Sequence, residues 1–386
     1  MKTILTSIAA GSLLAALAIA QTPRYTITDL GTLGGTYSYA YGINDAGEVS
    51  GGAATPNQTG GLSETAFLWY NGQITDLGTL GGLACPACNS EAGGPNANGA
   101  SPMLSETAHS DPNGEDTCGF GTHLQCLGAI WKKGALTALS ALPGGHNSQA
   151  YWLNDSGQAA GLAENGVRDA TCATPFQVLR FEAVIWGPKG EIRELSPLAG
   201  DTVGFAFGIN NSGQAVGTSG LCSNTTLPTV GPSGAHAVLW EKDGSATDLG
   251  NLGGTNNIAT TVNDLGEVAG NSQSATDGNT HPFLWTPKTG IHDLGIFPGD
   301  FLTVAPCCNT LNDKSQVVGF SCPGPMGSCR AFLWQPADGV LTDLNTLIAK
   351  DSPWYLESAT SINNAGEIVG YGTINGSVHA FLATPK

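Results

Sequence analysis

The chain has 386 residues, of which only 12% are charged, with 55 glycines and a formal net charge of −17 at pH 7. That balance excludes nucleic acid and anionic membrane surfaces as partners, because either requires a basic patch. Low charge with abundant glycine fits a turn-rich, all-β chain rather than a helical one.

Lys2 precedes the apolar run Ile4–Ala20, which closes on the small residues Ala18-Ile19-Ala20 before Gln21. This reads as a secretory signal peptide covering residues 1–20. The run is short for a membrane span, and no later stretch is long and apolar enough to be one. Residues 21–386 are therefore expected to form a single exported domain, released from the cell or held in the periplasm, and monomeric. In that setting ten cysteines read as disulfides.

Two interleaved signatures organise the rest. A tight turn flanked by apolar residues recurs at Asn44-Asp45, Asn154-Asp155, Asn210-Asn211, Asn263-Asp264, Asn312-Asp313 and Asn363-Asn364, with a degenerate copy at Asn96-Ala97-Asn98-Gly99. Glycine three residues after the Asn supplies the positive φ of a β-hairpin turn in most copies. A second hairpin follows each one. Its first strand carries Trp69, Trp131, Trp186, Trp240, Trp285 or Trp334, and its second carries Asp-Leu-Gly or a variant. The result is four strands per unit of about 50 residues, the pattern of a radial-repeat propeller.

The termini complement one another. Tyr25–Gly35 supplies a strand of the Asp-Leu-Gly type without its partner, and His379–Leu382 supplies a Trp-type strand without a successor. An open solenoid would expose an apolar end at each terminus and need caps. The expectation is all-β: a single seven-bladed β-propeller closed by pairing of the N- and C-terminal strands.

The repeats resemble the extracellular HAF repeat family, through His379-Ala380-Phe381 and the weaker matches His236-Ala237-Val238, His281-Pro282-Phe283 and Arg330-Ala331-Phe332. The resemblance supports the fold and implies no established activity or catalytic residue.

Antiparallel order puts the turns after strands one and three of each unit on one face and the remaining connections on the other. The long insertions, spanning residues 103–127, 164–180, 219–235 and 321–328, fall on the second face. Functional residues favour such loops. The cysteines follow the same rule. Cys172 and Cys222 occupy loops of consecutive units and are expected to pair. Cys85, Cys88, Cys118 and Cys126 form one local disulfide set. In a second set, adjacent Cys307 and Cys308 are expected to bond Cys322 and Cys329 rather than each other.

Zinc at the first set is disfavoured by its spacing and by export, and calcium by the absence of an EF-hand pattern. No metal or cofactor is expected. His236, His281 and His379 share one repeat position and read as structural, for example through a bond to a neighbouring blade. Glu106, His109, Asp111, Asp116, Phe120 and His123 form the least repetitive polar stretch and are the candidate ligand-binding residues, although a solvated acidic loop held by Cys118 and Cys126 is the favoured account of them. No catalytic residue is assigned. The preferred function is a non-catalytic secreted propeller binding an unidentified protein or glycan. The alternative is an extracellular hydrolase or lyase with acidic residues at the mouth of the ring, which raised carboxyl pKa values there would favour. A purely structural envelope component is the blandest reading.

Overall fold

The structure is a computed structural model describing residues 24–56, 64–172, 177–225, 236–307, 309–324 and 328–386. The expected leader, Cys308, residues 57–63 and parts of three of the four insertions lie outside the described residues. A first strand, β1 (Tyr25–Asp29), precedes six groups of four. These are β2 (Ser38–Ile43), β3 (Val49–Ala53), β4 (Thr65–Tyr70) and β5 (Gln73–Asp76); β6 (Ser90–Ala92), β7 (Ala100–Ser110), β8 (Leu124–Lys132) and β9 (Ala135–Leu139); and β10 (Gly144–Leu153), β11 (Ala159–Arg168), β12 (Leu179–Trp186) and β13 (Ile192–Leu195). They continue with β14 (Val203–Ile209), β15 (Ala215–Gly220), β16 (His236–Trp240) and β17 (Ala246–Asp248), then β18 (Gly253–Val262), β19 (Val268–Ser274), β20 (Thr280–Thr286) and β21 (Gly290–Asp293). The sixth group is β22 (Leu302–Val304), β23 (Val317–Cys322), β24 (Arg330–Trp334) and β25 (Leu341–Asp343). The chain ends with β26 (Trp354–Ile362), β27 (Ile368–Ile374) and β28 (Ser377–Pro385).

Each group is an antiparallel meander. The described strands form five four-stranded sheets and one eight-stranded sheet, in which β20 meets β22 through one parallel bridge, Thr280 to Leu302. The last sheet has the order β1-β28-β27-β26, with Tyr25 opposite Pro385 and Asp29 opposite Phe381. The N-terminal strand thus completes the C-terminal sheet.

The core lies between neighbouring sheets. Alternating residues of the third strand point to opposite faces, and both faces are covered, so Phe67, Phe283, Phe332 and Phe381 are all fully buried. One cluster joins Val216 and Leu239 of one sheet to Ala259, Val268 and Phe283 of the next.

The repeated Asn explains how the sheets are held in order. In Asn44 the side-chain oxygen accepts from the backbone N–H of Ala46 and Glu48, and Nδ2 donates to Glu48 Oε2 and to the Asn96 carbonyl, 3.0 Å away in the next sheet. The same bond passes from Asn96 to Asn154, then to Asn210, Asn263, Asn312 and Asn363, and Asn363 donates back to Asn44 at 3.1 Å. Asparagine suits this position because it alone among short side chains offers two donors and an acceptor together. The turn needs a left-handed residue, which is Gly47 at φ 78° in the first copy and Ser315 at φ 56° where glycine is missing.

Among the described residues there are four disulfides: Cys85–Cys88, Cys118–Cys126, Cys172–Cys222 and Cys322–Cys329. The expectation that Cys322 and Cys329 bond Cys307 and Cys308 is corrected. They bracket one loop between β23 and β24, whose pairing brings their Cα atoms to 4.2 Å, so they bond each other.

Candidate functional site

The circle of Asn side chains brings the first strand of every sheet to the inside. Its far end holds a polar cavity of about 150 Å³, lined by Asn44, Asn96, Asn154, Asn210, Asn263 and their neighbours. The turn carboxylates there are already engaged: Asp155 accepts from Ala97 N and Asn211 Nδ2, and Asp264 accepts from Asn211 N. This end is held together by its polar groups and offers no reactive group.

The chemistry lies at the other end of the inner wall, where the insertions emerge. Glu64, just before β4, is 4% exposed, and its carboxyl hydrogen-bonds that of Glu91 on β6. The Tyr41 hydroxyl donates to Glu64 Oε1 at 3.4 Å. Glu64 fits because the facing residue on β3 is Gly52; a Cβ there would come within 2.6 Å of the carboxyl carbon. Its backbone is pinned as well, with Glu64 N donating to Asn89 Oδ1 and Ser90 N to the Glu64 carbonyl.

Burial and the adjoining Glu91 raise the Glu64 pKa well above the usual carboxylate range. Burial also raises Glu91, opposed by its bond to Glu64. Two carboxyls in contact cannot both ionise cheaply, so each charge disfavours the other. Tyr37 and Tyr39 flank it, their rings 5.4 Å apart, and Tyr39 meets Tyr371 edge-on at 4.9 Å. Burial, reinforced by Glu64, pushes Tyr37 up to about 12 and also raises Tyr39 and Tyr41. No Lys or Arg contributes to these shifts. The wall is therefore aromatic and electronegative, with one carboxyl able to donate a proton and its partner able to accept one.

The candidate loop residues meet different fates. Glu106 is fully buried and accepts from Asn89 N, Asn89 Nδ2 and Thr122 Oγ1. It repeats one sheet on as Glu164, which accepts from Asn147 N and Asn147 Nδ2, so Glu106 belongs to the scaffold that positions Asn89 and, through it, Glu64. Asp111 and Asp116 turn inward: Asp111 accepts from Asn113 N, Glu115 N and Asn147 Nδ2, and Asp116 from Gly121 N. His109 is exposed, Phe120 is half-buried, and exposed His123 bonds the Gly114 carbonyl through Nδ1. These six residues do not converge on one point.

His236, His281 and His379 each pair through Nδ1 with Asp248, Asp293 and Asp29 on the outer strand of the same sheet, not with a neighbouring one. Among the described residues no group of three His, Cys, Asp or Glu side chains is placed to hold a metal.

Sequence reasoning missed Glu64 and Glu91, though two signals existed. Ser63-Glu64-Thr65-Ala66 repeats as Ser105-Glu106-Thr107-Ala108. At the strand position of Glu91 the other inner strands carry Tyr39, Gln149, Phe205, Ile258, Val304 and Ser358, so Glu91 is the sole acid in that tier.

Residues 194–380 match a family described as a protein of unknown function, DUF3466. No HAF repeat family matches, so that resemblance is withdrawn. The His-Ala-Phe letters arise from packing: His pairs with the outer-strand Asp while Ala and Phe fill the two buried faces. No curated protein matches. Among solved structures, the chain is similar to a puromycin-hydrolysing peptidase of Mycobacterium tuberculosis (13% identity, TM-score 0.55), over 94% of this chain and 55% of that one. It is similar to a puromycin hydrolase (14%, 0.56), over 94% of this chain and 52% of that one. A streptogramin B lyase (10%, 0.50) matches over 94% of this chain and 98% of that one. The chain thus spans about half the length of the peptidases. At these identities the likeness is one of fold.

Proposed function

We propose that this chain is an exported, monomeric enzyme, a hydrolase or lyase, built on residues 21–386 as a seven-bladed β-propeller closed by β1 and β28. Its acid–base pair is Glu64 and Glu91. The observation that carries the activity is the hydrogen-bonded carboxyl pair with raised pKa values beside Tyr41, on the inner wall at the loop-bearing end. The seven-membered Asn circle, returning from Asn363 to Asn44, supports the blade count and closure. The four disulfides fit export, and no helix among the described residues is long and apolar enough to cross a membrane.

The pair suits a reaction in which one carboxyl protonates a leaving group while the other removes a proton from water or from the substrate itself. Water attack gives hydrolysis, and proton abstraction gives elimination. The peptidases supply a hydrolytic precedent on a related fold. The lyase, matched over 98% of its own chain, supplies an eliminating one of similar extent.

The test is turnover by the purified chain of p-nitrophenyl glycosides, p-nitrophenyl esters, aminoacyl anilides and uronate polysaccharides. Glu64→Gln and Glu91→Gln should each lower the rate roughly 10²–10⁴-fold on whichever substrate is turned over. Unchanged turnover in either variant overturns the assignment.

Binding without chemistry is the second reading. It is favoured by Leu83, Val167, Leu221, Phe301 and Tyr355, large apolar side chains exposed at the loop-bearing end. A ligand retained with full affinity by both Gln variants, and not turned over by the parent, would select it.

A further inference from the structure

The insertion between β7 and β8 lies across the neighbouring sheet through an unusual interface. Glu115, fully buried, accepts at Oε1 from Val178 N (2.5 Å), Leu179 N (2.9 Å) and Gln177 Nε2 (3.4 Å). Asp111 reaches Asn147 Nδ2 at 2.8 Å. Thr117 meets Glu164 Oε1 at 3.4 Å, and its carbonyl accepts from Gln149. Gln149 stands on the inner wall at the tier of Glu91 and also bonds the Tyr151 hydroxyl.

Glu164, also fully buried, is the group on which these contacts converge. Asp111 and Glu115 approach it from the insertion, and Gln177 donates to it from the segment before β12. From β10 come Asn147 and the backbone N–H of His146. Among the described residues no Lys or Arg is paired with this set. Arg168, on the same strand as Glu164, donates to Asn113 Oδ1 at the exposed edge, and Arg180 pairs with Asp169. Three buried carboxyls, Asp111, Glu115 and Glu164, therefore share one interface with no counter-charge, which is costly when all are ionised.

We propose that residues 111–121 form a proton-dependent strap over the loop-bearing end, docked on the third sheet while Glu164 holds a proton and released when Glu164 and Glu115 are both charged. A protonated Glu164 can donate to Thr117 Oγ1 and removes the repulsion with Glu115. Burial, then the Glu115 charge, raises Glu164 to about 7, which puts the transition near neutral pH. Release uncovers Gln149 and Tyr151 beside the Glu64–Glu91 wall. Cys118–Cys126 ties the far end of the strap to β8, so it swings about that end.

The test is hydrogen–deuterium exchange of residues 111–121 between about pH 6 and pH 8, corrected for the intrinsic pH dependence of exchange, with residues 100–106 of β7 as internal reference. Protection of the strap should fall roughly tenfold across this range while the reference stays constant. In Glu164→Gln the fall should vanish. If that variant does not fold, Glu115→Gln, which removes the second cause of the raised Glu164 pKa and leaves its burial, should make the fall smaller. Strap protection independent of pH in the parent chain, or an undiminished fall in a folded Gln variant, overturns the proposal.

Discussion

Replacing Asn210 by alanine tests the Asn circle directly. Asn210 is 4% exposed. Its Oδ1 accepts from Ser212 N, Ser212 Oγ and Gln214 N at 3.1, 2.8 and 3.0 Å, and its Nδ2 donates to Gln214 Oε1 and the Asn263 carbonyl, both at 2.9 Å. Ser212 Oγ and Gln214 Oε1 reach other partners or water, and the Asn263 carbonyl keeps the Gly266 N–H at 3.1 Å, but the Gln214 N–H is left inside. Stranding that one donor and losing the bond to the Asn263 carbonyl predicts a loss of about 2–3 kcal/mol. Asn210→Asp should cost more at neutral pH. It keeps the accepted bonds but sets carboxylate oxygens against the Asn263 carbonyl and Gln214 Oε1, and part of the loss should return at low pH, where the acid can donate once. The assay is urea unfolding followed by tryptophan fluorescence, with exposed Lys288→Ala as a control expected to change stability by under about 0.5 kcal/mol. A loss below about 1 kcal/mol for Asn210→Ala would mean that sheet packing, not the Asn bonds, sets the order of the units.

Tyr25→Ala removes a side chain packed with Leu347, Leu356 and Phe381, and should cost about 3 kcal/mol or more, read as a lowered Tm; an unchanged Tm refutes a structural role for β1. Serine at both Cys172 and Cys222 opens a link between residues 50 apart, for which the chain-entropy estimate is about 4 kcal/mol, read by urea midpoint against the untreated parent. Glu164 and Glu182 both have folded pKa values raised from 4.5 to about 7, chiefly by burial. The folded state therefore binds more protons than the unfolded chain between those values, so stability is full below pH 4.5 and lost as pH rises through 7, with up to about 3 kcal/mol from Glu164. Unfolding midpoints that rise between pH 5 and pH 8 would contradict the sign.

The strand pattern was legible in the sequence because its determinants are local. An Asn with glycine three residues later makes the same turn wherever it occurs, and an apolar strand ending in Trp needs both faces covered. The complementarity of Tyr25–Gly35 and His379–Leu382 likewise implied the pairing now seen between Tyr25–Asp29 and Ser377–Pro385. Two features lay beyond that reach. Whether Asp111, Glu115 and Asp116 face water or backbone N–H groups depends on how the insertion folds against Asn147 and Val178, and neither spacing nor composition encodes that choice. The contact between Glu64 and Glu91 joins side chains of different sheets, and the Glu64 carboxyl has room there only because the residue beside it on β3 is Gly52. Repetition specified each sheet; only the packing of one against the next decided which acids would meet.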